Sequence, residues 1–141
     1  MNSRSLLRRN GKFRVNRIYR SHLFGGDNML TIDALKNYGA DTATGLSRCM
    51  GNEALYLRLA GSIVSEQGFD RFKAAFDAGD GEAAYAEIHA LKGALGNLSI
   101  TPLYDKACEI NERLRADKSA DYSELMNEFT ALKEEFFKLC E

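Results

Sequence analysis

Asp80-Gly81-Glu82-Ala83-Ala84-Tyr85-Ala86-Glu87-Ile88-His89-Ala90-Leu91-Lys92-Gly93-Ala94-Leu95-Gly96-Asn97-Leu98 is the stretch whose periodicity decides the fold. Its apolar positions Ala84, Ile88, Leu91, Leu95 and Leu98 follow one another at steps of four, three, four and three. That spacing is the seam of a helix packed lengthwise against others. Asp80 stands where an N-cap side chain is needed to accept from the first free backbone N–H groups, so the helix is expected to run from Asp80 through Leu98. Downstream, Thr101-Pro102 reads as an N-cap followed by proline at the first helical position, where its missing N–H has no partner to lose. The stripe Leu103, Ala107, Ile110 and Leu114 then carries a helix that ends before Lys118. Asp121 with Glu124 three residues on resembles a capping box for a last helix, which carries Leu125, Phe129, Leu132, Phe136 and Leu139.

Upstream of Asp80, Asn52 supplies an N-cap for a long helix reaching Ala78, with Leu55, Leu59, Ile63, Phe69, Phe72 and Phe76 on one side. Gly61 and Gly68 weaken it locally, at about 1 kcal/mol each relative to alanine, and are places for a kink. Two short helices precede it, over Ile32 to Tyr38 and Thr42 to Cys49, with Gly39 and Gly51 as left-handed stops, and are expected to form a lid. No stretch alternates apolar and polar residues with period two. The expectation is an all-α domain over residues 29–141: an antiparallel up-and-down bundle of four helices with short additional N-terminal helices.

The whole chain has 141 residues, of which 45% are hydrophobic and 28% charged, with one proline. These values fit one globular domain, and no apolar run is long enough to span a membrane. A net charge of −1 gives no global field for binding nucleic acid. That average conceals a basic arm: residues 1–28 carry +6, from Arg4, Arg8, Arg9, Lys12, Arg14, Arg17 and Arg20 against Asp27, and the remainder carries −7. The arm lacks the apolar core of a secretory signal and shares the Arg-rich composition of organelle transit peptides. It reads as a flexible tail, as a leader with Met29 a natural start, or as an arm for an anionic partner. Cys49, Cys108 and Cys140 form no CxxC pair, so each reads as a small apolar residue in a reduced, cytoplasmic setting, with neither a disulfide framework nor a zinc cluster.

Of the two histidines, His22 lies in the arm and His89 on the helix quoted above. At about 100° per residue, His89 points away from the seam. It shares the outward face with Tyr85, Lys92, Gly93 and Gly96, one nucleophile and one cation beside two bare positions. An imidazole nitrogen is largely unprotonated at neutral pH and attacks phosphorus without a separate base. A lysine one turn onward places an ammonium beside incoming phosphoryl oxygens. Glycine on a solvent face costs helix propensity, and both glycines are expected to make room for another molecule near the backbone. Taken alone, an exposed helical histidine followed by a lysine is more often plain surface.

The run from His89 to Leu98 resembles the signature of histidine phosphotransfer (HPt) domains: histidine, any residue, leucine, lysine and glycine, then small residues and Asn-Leu-Gly. Gly45-Leu46, Arg48, Gly51-Asn52-Glu53, Leu55-Tyr56 and Leu59 are similar to the family's lead-in. Ala78-Gly79-Asp80 is similar to its loop before the histidine helix, and Leu103 with Cys108 to the helix after the signature. The likeness covers about residues 31–140, and it departs at Ser99, where members often have glycine. The resemblance implies a monomeric phosphocarrier with no ATP site of its own and no catalysed reaction beyond the relay. His89 would accept a phosphoryl group on Nε2 from a receiver-domain aspartyl phosphate and pass it to another receiver, with Lys92 offsetting charge. Receiver domains are the implied partners, with a hybrid sensor histidine kinase as a further one, and neither nucleic acid nor membrane. Tyr85, Ala86, Ala90, Gly93, Gly96 and Asn97 are the expected docking residues. No cofactor or metal is expected on this chain, because Mg²⁺ would sit in the receiver's aspartate pocket. Two other readings stand beside this one: a scaffold that binds receivers without exchanging phosphate, and a helical adaptor or nucleic-acid binder using the arm.

Overall fold

The computed structural model describes residues 30–141, so the basic arm, His22 and Met29 lie outside the described residues. The described residues are all-helical. In chain order they form α1 (Ile32–Tyr38), α2 (Thr42–Arg48), α3 (Glu53–Gly61), a short 3₁₀ turn (Ser62–Ser65), α4 (Gly68–Ala78), α5 (Gly81–Asn97), α6 (Thr101–Ala116) and α7 (Ser123–Leu139). None of these helices is long and apolar enough to cross a membrane.

Side-chain caps set several starts: Thr31, Asp41, Asn52 and Asp80 each accept from the backbone N–H three residues on. Gly39 closes α1 in the left-handed conformation, with φ 112°, and donates to the carbonyls of Leu35 and Lys36. Two expected caps are not formed. Helix α6 starts from Ile100, because the Thr101 hydroxyl instead accepts from the Asp41 N–H at 3.2 Å and ties the start of α2 to the start of α6. Asp121 folds into a local turn, its Oδ1 accepting from Ser123 N and Oγ at 2.9 and 2.7 Å, so the box with Glu124 is not made and α7 begins after Tyr122. At the end of α2, Met50 and Gly51 both adopt left-handed φ, and the cap falls on Cys49 rather than Gly51.

The long helix expected between Asn52 and Ala78 is instead broken in two. Its chain leaves the α-helix after Gly61, becomes extended at Glu66, and resumes at Gly68. The break has a tertiary cause as well as low propensity. Gly68 is buried where an added Cβ would sit 3.1 Å from Leu91, and its N–H donates to Glu66 Oε2 at 2.9 Å. Leu59, placed on the apolar stripe by spacing, is 39% exposed.

Helix α5 packs against α4 on one side and α6 on the other, and α6 packs against α7. Aromatic rings close the circuit. Phe69 and Phe72 of α4 lie 5.9 and 5.8 Å from Phe129 of α7, and Phe69 also meets Phe137 edge-on at 5.6 Å. The seam residues Ala84, Ile88, Leu91 and Leu95 are all buried in this core. Cys49 and Cys140 are buried and Cys108 half-buried, with burial pushing the Cys140 thiol up to about 12. Helices α1 and α2 cover one end: Tyr38 donates to the Leu132 carbonyl at 2.7 Å and meets Phe136 edge-on, while Tyr56 of α3 fills the space left by Gly45 and donates to the Leu98 carbonyl at 2.9 Å.

Helix α5 ends in a motif with paired bonds, Ile100 N–H to Leu95 O and Ser99 N–H to Gly96 O, both 3.1 Å. Ser99 at its turn has φ 58°, a region that costs a side chain about 1–2 kcal/mol. Glycine would relieve that strain and add back about 0.5–1 kcal/mol of unfolded-state entropy. Ser99→Gly is therefore expected to stabilise the fold by about 0.5–1 kcal/mol, read as a rise of about 2–5 °C in thermal midpoint.

Candidate functional site

Helix α5 presents His89 to solvent, because its buried stripe holds the opposite side of the helix against α4 and α6. Of the other expected site residues, Ala86, Ala90, Gly93 and Asn97 are exposed, and Tyr85, Lys92 and Gly96 are half-buried. All stand on one helix, at about 100° per residue, so its backbone alone fixes their spacing.

The two glycines of this face differ. Among the described residues a Cβ added at Gly93 meets nothing within 4 Å, so no contact with them accounts for the missing side chain. A Cβ at Gly96 would fall 2.8 Å from Cε1 of Tyr104 on α6. Packing thus explains Gly96, which corrects the expectation that both positions are bare for a visitor. The Gly96 carbonyl also accepts from Arg48 Nη1 at 2.6 Å, a cation at the negative end of the α5 dipole.

Residues from other elements complete the surroundings. Arg115 of α6 is paired with Glu112, and that hydrogen bond, aided by the charges of Arg115 and Lys92, holds the Glu112 carboxyl below the usual carboxylate range. Lys118, in the connection after α6, sets its ammonium 4.5 Å from the Tyr85 ring centroid, and Tyr85 lies 6.1 Å from the His89 ring. Beside Lys92 and Gly93 a groove of about 480 Å³ opens between α2 and α6, walled by Asp41, Thr44, Arg48, Asn97 and Asp105. Hydrogen bonds from the Thr44 hydroxyl and N–H hold the Asp41 carboxyl low. Sequence spacing missed Arg48, Tyr104, Glu112, Arg115 and Lys118. Only the pairing of α5 with α6 and α2 brings them to this face, and no short-range signal announces that pairing. Among the described residues no group of three or more His, Cys, Asp or Glu is placed to hold a metal ion.

An exposed imidazole with a lysine one turn away and uncovered backbone beside it can act as a nucleophile toward a group delivered from outside, the lysine supplying positive charge. Compared with protein-family models, with curated proteins and with solved structures, the chain finds no match.

Proposed function

We propose that this chain is a histidine phosphotransfer protein whose phosphoacceptor is His89. The observation that carries the reading is the surface around that residue: an exposed imidazole beside Gly93, whose bareness no contact among the described residues requires. The likeness of His89-Ala90-Leu91-Lys92-Gly93 to the HPt signature gives that surface its chemistry. The His89 Nε2 lone pair forms the P–N bond as the P–O bond to a receiver's aspartate breaks. The aspartate carboxylate leaves with the bonding pair, and the imidazole keeps its proton on Nδ1. Transfer to a second receiver reverses these events. Lys92 offsets the phosphoryl charge as a flexible point cation. The Mg²⁺ such a transfer calls on belongs to the receiver's own pocket.

A carrier of this kind is best served by an antiparallel up-and-down bundle of α4 to α7, which leaves one helix face free along its length. Two features support that arrangement. Gly81 at the start of α5 abuts Lys118 just past α6, while Gly96 near the end of α5 abuts Tyr104 near the start of α6. The turns joining α4 to α5 and α5 to α6 are only a few residues long. Docking would centre on Ala86, Ala90, Gly93 and Asn97, with Tyr85 and Gly96 at its inner edge, an area small enough for release after each transfer.

Gly93→Ala tests the surface directly. Alanine on an open helix face is expected to stabilise the fold by up to about 1 kcal/mol, raising the thermal midpoint by a few degrees. The added methyl is expected to weaken the receiver complex about ten-fold, since one overpacked contact costs about 1–3 kcal/mol. Melting curves and titration with a cognate receiver read the two effects. A more stable variant that exchanges phosphate as fast as the parent would remove the reason for glycine at this position.

A further inference from the structure

The connection between α6 and α7 carries a cation to the His89 face that the outward stripe of α5 does not contain. Lys118 Nζ stands 4.5 Å from the centroid of the Tyr85 ring, within the range of a cation–π contact. The Tyr85 ring lies 6.1 Å from the His89 ring, the two planes inclined by 33°. No ion pair competes for Lys118 among the described residues, whereas the neighbouring Arg115 is paired with Glu112. The main chain of this connection is held at both ends of the contact. The Lys118 carbonyl rests on Gly81, where any Cβ would overlap its oxygen, so α5 accepts the loop only through glycine. Asp117 Oδ1 accepts from Ser119 N and Oγ at 2.9 and 2.7 Å, and the Ala120 N–H donates to the Asp117 carbonyl at 3.0 Å.

We propose that Lys118 is a positioning residue for His89 that acts through Tyr85. Its ammonium holds the phenol ring, and the ring limits the orientations open to the imidazole beside it. An exposed side chain otherwise exchanges rotamers within nanoseconds. A nucleophile held near its attacking geometry reacts faster, because less orientational entropy is lost on the way to the transition state. Lys118 is assigned no contact with the phosphoryl group; Lys92 is the cation on the histidine's own helix. The functional half of the proposal rests on the phosphotransfer reading, while the geometric half does not.

The test uses the full chain and the variants Lys118→Met, which keeps the apolar stem without charge, Lys118→Arg, which keeps a cation for the ring, and Tyr85→Ala. Ring-proton NMR signals of His89, recorded without any partner, report the Tyr85 ring current. In Lys118→Met they are expected to move toward their positions in Tyr85→Ala, and in Lys118→Arg to stay near the parent's. With a phosphorylated receiver at saturation, Lys118→Met is expected to slow transfer by about two- to five-fold, the loss of one exposed cation–π contact. The half-saturating receiver concentration is expected to stay unchanged, and Lys118→Arg to restore the rate. Unmoved His89 signals, an undiminished rate, or a loss confined to the half-saturating concentration would each overturn the proposal, the last by making Lys118 a partner contact. If the parent chain takes no phosphate from any receiver, it is the phosphotransfer reading that fails, and the NMR signals still decide whether Lys118 orders the two rings.

Discussion

Incubated with a phosphorylated cognate receiver, the parent chain is expected to gain an acid-labile, base-stable phosphoryl group, and His89→Gln none at all. The loss is complete rather than partial because glutamine has no nitrogen lone pair basic enough to attack phosphorus, and among the described residues His89 is the sole histidine. Since the His89 side chain is exposed and makes no hydrogen bond with the described residues, its replacement is expected to change stability by no more than about 0.5 kcal/mol. The variant is therefore expected to keep its circular dichroism spectrum, its melting curve and its affinity for the receiver. Labelled His89→Gln would show that phosphate resides elsewhere. A parent chain that binds the receiver but stays unlabelled, beside a control carrier that works, would make it a scaffold.

Phe129→Ala is expected to have the largest effect on stability, a loss of about 3–5 kcal/mol. Phe129 is 2% exposed and meets both Phe69 and Phe72, so it is the α7 ring with two aromatic partners on α4, where Phe137 has one. Truncation removes its transfer free energy and leaves a cavity that the neighbouring rings of Phe69 and Phe72, held by further contacts with Phe137 and Tyr122, fill only in part. Against a total of about 5–15 kcal/mol for a domain of this kind, that is a large share. Denaturant titration is expected to show a lower midpoint at unchanged slope. A loss under about 1 kcal/mol would mean that the α4–α7 contact is dispensable.

Much of this fold is legible one helix at a time. The steps of Ala84, Ile88, Leu91 and Leu95 give α5 its buried side and hence the outward direction of His89. Asp80, Asn52 and Gly39 mark helix ends by side-chain and backbone chemistry that acts within a few residues. Legibility stops where a residue's partner is distant in sequence. Thr101 has the side chain of a cap, yet it serves Asp41, sixty residues away. Gly61 and Gly68 look like blemishes in one helix, and the burial of Gly68 against Leu91 makes them the edges of a break. Gly93 and Gly96 look alike, and only the Tyr104 ring distinguishes the glycine that packing demands from the one it does not.

Local patterns alone already specify that residues 30–141 are helical, where most of their helices start and stop, and which stripe of α5 faces outward with His89, Lys92 and Gly93. These follow from backbone hydrogen bonding and burial repeated every three or four residues, so near neighbours suffice to express them. Tertiary structure alone decided which side chains from α2, α6 and the α6–α7 connection stand around that stripe, Lys118 above Tyr85 among them. Those meetings depend on the register in which helices pack, and register is set by the summed fit of whole surfaces rather than by any short run of residues.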